Sequence, residues 1–229
     1  MTTVQTQIPD QLLQQAQYLV QQGWVANIDD LIAESMRRYL ESHRESMTER
    51  FICEDVDWGC MGKTEPIVIA DAGPVIHLDE LGCLNLLADF GSVIIPEAVY
   101  QEVERHRPLA SASAGDWLVR QSPRQSSPIV KALTPLYSLH AGEQEALHLC
   151  AEFDNCLLLT DDTAARLAAK SLGIAAHGTL GLLIRAIRRQ CLTKAEVLIL
   201  LREVPHRTTL HIRPALLAEV ITNVEANPL

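Results

Sequence analysis

No apolar run in this sequence approaches the roughly 18 residues that a membrane-spanning helix requires. The N-terminus, Met1-Thr2-Thr3-Val4-Gln5, lacks the basic-then-apolar order of a signal peptide. The chain is therefore expected in the cytoplasm, with no membrane partner. Its six cysteines form no C-x-x-C pair and no regular framework, so reduced thiols filling the core are the expected state. Cys53 and Cys60 fit no zinc finger or ribbon spacing. Basic residues are scarce too: 19 Lys and Arg stand against 29 Asp and Glu, for a net charge of −10. That balance argues against a generic polyanion-binding surface, because nonspecific affinity for nucleic acid comes from cations that neutralise phosphates. Any such contact would have to come from local arginines such as Arg105, Arg107, Arg166, Arg185, Arg188 and Arg189, each of which equally suits a solvated helix face.

What is present is apolar content. Nearly half of the 229 residues are hydrophobic (48%), enough for a real core in one large domain or in a small domain joined to a medium one. Residues 3 to 8 alternate β-prone and polar side chains. Pro9-Asp10 then opens a helix with Leu12, Leu13, Ala16, Leu19 and Val20 at helical spacing, ending near Gly23. A second helix from about Asn27 carries Ile28, Leu31, Ile32, Met36, Tyr39 and Leu40 on one face, with Arg37, Arg38 and Glu41 on the other. About 45 residues of strand, helix, turn and helix are too few to bury a core alone, so a partner chain should complete the module.

This segment resembles the ribbon-helix-helix family over residues 2 to 45. In that family two chains pair their first strands into a ribbon that enters the DNA major groove. The resemblance implies a homodimer or a higher even-numbered oligomer, and places Thr3, Gln5 and Gln7 on the base-reading face toward operator DNA. Two features depart from it: the strand has no Lys or Arg, and Asp29 and Asp30 stand where relatives hold a phosphate. A dimerisation handle without DNA binding is the alternative.

Between Ser46 and Pro66 no period of 2 or 3.6 persists, and acids mix with Phe51, Ile52, Val56 and Trp58 before Gly59-Cys60-Met61-Gly62-Lys63. The expectation is a linker with apolar anchors. From Ile67 short apolar runs alternate with helical patterns, which predicts parallel βαβ units. Strands are expected at 67–71, 92–95, 117–121, 156–160 and 174–177, and helices at 96–106, 142–153, 163–172, 179–189 and 194–203. Leu210-His211-Ile212 and Pro214 to Val224 read as a last strand and helix.

Five acids punctuate this pattern. Asp71 and the Asp161-Asp162 pair close apolar runs, while Glu102 and Glu143 sit in helices. Residues at the carboxyl ends of parallel strands and at the helix starts beside them line one crevice. Hard oxygen ligands gathered there suit Mg²⁺ or Mn²⁺ far better than zinc. Each acid alone could instead be a helix cap or a solvated position.

The segments Ile67-Val68-Ile69-Ala70-Asp71-Ala72-Gly73-Pro74, Ile94-Ile95-Pro96 with Tyr100-Gln101-Glu102-Val103, Ala141-Gly142-Glu143, Leu158-Leu159-Thr160-Asp161-Asp162 and Gly178-Thr179-Leu180-Gly181 resemble a PIN domain over about residues 67 to 190. The resemblance implies an α/β/α sandwich with a parallel central sheet, whose acidic cluster binds divalent cations and hydrolyses RNA. Matched by motif, Asp71 is the first acid, Glu102 the second, Glu143 the third, and the Asp161-Asp162 pair the last, with Asp162 the better fit to the family's Thr-x-Asp spacing. Thr160 is expected to orient a carboxylate or the attacking water. Glu143 stands where many PIN domains have Asp, and Glu145 and Glu97 are left open as contributors.

Together the modules, residues 1–46, a linker at 47–66 and residues 67–229, resemble a VapBC-type toxin-antitoxin pair written as one polypeptide. That resemblance implies a self-restrained endoribonuclease in which Arg50 or Lys63 from the linker competes with metal in the acidic pocket. The competing reading is a non-catalytic DNA-binding repressor or scaffold.

Overall fold

The computed structural model describes residues 8–21, 25–58, 66–108, 110 and 115–226. The chain divides into two compact units, Met1–Thr48 and Glu49–Leu229. In the first, helix α1 spans Asp10–Gln21 and helix α2 begins at Ile28. Asn27 caps α2 by accepting from the Asp30 N–H at 2.8 Å, the role a short amide side chain plays at a helix start. Leu12, Tyr18 and Leu19 on α1 and Ile32 and Met36 on α2 are exposed. Of the expected ribbon strand, residues 1–7 lie outside the described residues, and Ile8 belongs to no regular element.

α2 does not end near residue 45. It continues to Trp58, and its last turns belong to the second unit. Phe51, Ile52 and Asp55 are buried there at helical spacing. The expected linker is thus helical through Trp58, because an acid occupies one position of the inward stripe and hides the period; residues 59–65 lie outside the described residues.

The second unit is built on five parallel strands: β1 (Ile67–Ala70), β2 (Val93–Ile95), β3 (Leu118–Arg120), β4 (Cys156–Leu159) and β5 (Ala175–His177), in the order β3-β2-β1-β4-β5. β1 and β4 are neighbours in register, Ile69 opposite Leu158 and Ala70 opposite Leu159. Sequence order reverses at this pair, which makes it the switch point where a doubly wound sheet opens its crevice.

Around the sheet lie α3 (Ala72–Glu80), a 3₁₀ helix (Leu84–Phe90), α4 (Glu97–His106), α5 (Pro128–Tyr137), α6 (Ala141–Cys150), α7 (Thr163–Ser171), α8 (Thr179–Arg188), α9 (Lys194–Arg207) and α10 (Pro214–Ala226). The two faces bury separate cores. Val68 and Ala70 of β1 with Leu157 and Leu159 of β4 join α3, α8 and α9, and Ile52 packs into this layer. Ile69, Cys156 and Leu158 join α6 and α7 on the other side. The strands are apolar on both faces because both faces are covered. The expected strand at Leu210–Ile212 is irregular backbone whose Leu210 and Ile212 side chains pack on the core; the sheet already ends at β3 and β5.

Candidate active site

Asp71 follows β1 directly, and its N–H donates to the Leu159 carbonyl at 2.8 Å, continuing the β1–β4 ladder by one residue. This bond fixes Asp71 at the mouth of the switch-point crevice. Its side chain makes no cap bond to α3; instead Thr160, the residue after β4, donates its hydroxyl to Asp71 Oδ2 at 2.9 Å. Only 7% of Asp71 is exposed. Burial raises its pKa from 3.8 to about 7; the Ala72 N–H and Thr160 hydroxyl offset part of this, and the charges of Glu143 and Glu102 push it further up.

Glu102 reaches the same place from α4. A Cβ placed on Gly142 would lie 3.6 Å from both Asp71 Oδ1 and Glu102 Oε2, so these oxygens are at most 7.2 Å apart across the bare α6 backbone. The same Cβ would press Val99 Cγ2 at 3.1 Å. Glycine at 142 is therefore what lets α6 approach the acids. Glu143, next in α6, accepts from the His140 N–H at 2.7 Å as the reciprocal partner of a capping box. Burial raises its pKa, and so do the charges of Asp162 and Glu102. Asp162 caps α7 by accepting from the Ala165 N–H at 2.9 Å, while its own N–H donates to Thr160 Oγ1 at 3.2 Å.

Asp71, Glu102, Glu143 and Asp162 thus act on one another electrostatically, with Thr160 bonded to the first and the last. Asp161 is tied elsewhere. It accepts from His77 Nδ1 at 2.8 Å, from the Thr179 N–H at 2.7 Å and from the Thr179 hydroxyl at 2.5 Å. Burial would raise its pKa, but these donors hold it below the usual carboxylate range. Asp161 so pins the β4–α7 loop to α3 and to the start of α8. Glu145 accepts from the Ala98 N–H at 2.9 Å, and Glu97 pairs with Arg120, so both are occupied outside the cluster.

The donor set is all oxygen and all acidic, and a buried carboxyl that stays protonated to about pH 7 is a group lacking its counter-charge. That chemistry fits a hard divalent cation. Among the described residues no group of three His, Cys, Asp or Glu side chains converges tightly enough to hold an ion.

Most of the arginines named above are engaged: Arg107 with Asp79, Arg185 and Arg189 with Asp89, and Arg188 with the Val56 carbonyl. Arg50 lies on an exposed turn of α2 paired with Glu54 at 3.2 Å. Thr3, Gln5, Gln7 and Lys63 lie outside the described residues. One polar group was not foreseen. Asp55, 2% exposed, accepts at 2.7 Å on each oxygen from Arg166 Nη2 and at 2.8 Å from His177 Nδ1. Its only trace in the sequence was an acid beside Glu54, between Ile52 and Val56.

A family profile, DUF3368, described as a PIN domain, matches residues 67–226. The chain belongs to that PIN-domain family, whose nuclease-type fold agrees with the parallel sheet described above. No curated protein and no solved structure matches the chain significantly.

Proposed function

We propose that this chain is a divalent-metal-dependent endoribonuclease, restrained by its own N-terminal segment. The observation that carries the reading is buried Asp71, repelled by Glu102 and Glu143 yet held in place by Thr160. Asp71, Glu102, Glu143 and Asp162 would hold Mg²⁺ or Mn²⁺. A cation held there supplies charge neutralisation for the scissile phosphodiester and lowers the pKa of an attacking water. Thr160 orients Asp71 through its hydroxyl and receives the Asp162 N–H, so one side chain sets the spacing of two acids. The Asp161–Thr179 and Asp161–His77 bonds keep that loop from relaxing toward solvent.

The N-terminal unit would pair chains into a homodimer or a higher even-numbered oligomer. Its exposed Leu12, Tyr18, Leu19, Ile32 and Met36 support that part of the reading. Thr3, Gln5 and Gln7 would then face operator DNA. Calorimetric titration with Mn²⁺ tests the metal site. Binding by the full chain that disappears in Asp71→Asn/Asp162→Asn is expected, while a folded wild-type chain that binds no divalent ion would leave the repressor or scaffold reading in its place.

A further inference from the structure

The Asp55 carboxylate sits in a cage built for an anion. Arg166 Nη2 meets both of its oxygens, His177 Nδ1 meets one, and the Gly178 N–H lies 3.2 Å from Oδ2. Gly178 is also the N-cap residue of α8, so the positive end of a ten-residue helix faces the same point. Arg166 is only 4% exposed and His177 only 9%. A guanidinium buried that deeply needs an anion, because an uncompensated buried charge costs several kcal/mol.

The origins of the parts matter. Arg166, His177 and Gly178 lie inside residues 67–226, the span that defines the PIN-domain family; Asp55 lies outside it, 111 residues before Arg166. The domain therefore carries the cage, and a preceding helical segment supplies the filling. The cage also touches the acidic site. Arg166 Nε donates to the Thr160 carbonyl at 3.0 Å, while the hydroxyl of the same Thr160 bonds Asp71. A polynucleotide with one phosphate at the acids could present a neighbouring phosphate to Arg166, in a chain whose net charge of −10 offers few other cations.

We propose that Arg166, His177 and the Gly178 N–H form a phosphate-binding subsite for the RNA backbone, and that Asp55 occupies it in cis as a carboxylate stand-in. This rests on the nuclease reading for the identity of its ligand. The fused segment then competes with substrate at the subsite rather than through Arg50 in the acidic pocket. Its hold is graded. Trp58 stacks on His177 with ring centroids 4.1 Å apart, Phe51 lies 5.3 Å from the Arg166 guanidinium, and Arg188 holds the Val56 carbonyl at 2.8 Å. Release of α2's last turns uncovers all three donors at once.

The test is binding without turnover: a labelled oligoribonucleotide titrated into the full chain in EDTA and followed by anisotropy. Asp55→Asn should bind at least about tenfold more tightly than wild type, the worth of one freed charge-assisted contact. The gain should vanish in Asp55→Asn/Arg166→Gln, and inorganic phosphate should compete. No gain in folded Asp55→Asn, or a gain that persists in the double variant, would reduce the cage to a structural ion pair. Gly181→Leu is the second variant, because a Cβ at Gly181 would press Asp55 Cβ at 3.0 Å and lift the segment with every charge intact. It too should gain, and tight binding no better than wild type would overturn the proposal if Asp55→Asn does not fold. Cleavage is not read, so an inert PIN domain would still show the gain, and a failed gain leaves the metal site untouched.

Discussion

Asp71 is buried and Asp161 partly buried, yet their surroundings drive their pKa values in opposite directions. Folded Asp71 keeps its proton to about pH 7, whereas the unfolded chain releases it near 3.8. Its contribution to stability is therefore fully present below pH 3.8 and lost as the pH rises through 7, amounting to at most about 4 kcal/mol. In metal-free buffer Asp71→Asn should melt higher than wild type at pH 8, and the two should converge in acid. Added Mg²⁺ or Mn²⁺ should stabilise only the wild type. Asp161, with its lowered pKa, stabilises at neutral pH, and that contribution fades as acid protonates it. Asp161→Asn should cost roughly 1.5–3 kcal/mol at pH 7 while leaving the Mn²⁺ titration intact, as calorimetry would show. Thr160→Ala removes the link between two proposed ligands and should weaken Mn²⁺ binding roughly 10- to 100-fold.

At the scale of elements, the five strands were legible because each is a short apolar run closed by a turn signal or an acid, and their expected bounds lie within one residue of those observed. Helices with clean apolar faces, such as Thr163–Ser171 and Thr179–Arg188, were equally legible. The end of α2 was not. Asp55 takes a core-facing place in the stripe of Phe51 and Ile52, and its partners Arg166 and His177 are more than 100 residues away, so no local pattern reveals that an acid belongs inside. The candidate acids stand after strands and in helices as the sequence placed them, and the Thr-x-Asp spacing favoured Asp162 over Asp161, but the His77 and Thr179 bonds that hold Asp161 come from elements distant in sequence. The consequence for α2 is measurable. Ile52→Ala should destabilise the second unit by roughly 2–5 kcal/mol in chemical denaturation, as loss of a core side chain does. A chain of residues 64–229, stripped of Asp55, should unfold at lower denaturant than one of residues 49–229, and inorganic phosphate should narrow the gap.

At the scale of the molecule, an acidic chain binds an acidic polymer only where cations are concentrated, and here both candidate places, the metal cluster and the Arg166 cage, meet at Thr160. Among the described residues no helix is long and apolar enough to cross a membrane. The fold belongs to the PIN-domain family, and α2, which carries Asp55, precedes the family's span. The most direct measurement is cleavage of total RNA with Mn²⁺ or Mg²⁺, comparing the full chain, residues 64–229, and each with Asp71→Asn/Asp162→Asn. The account predicts cutting that is strong in the released form, weak in the full chain and lost in both double variants. Folded, metal-loaded protein that cuts in neither form, or cutting that survives the double substitution, would contradict it.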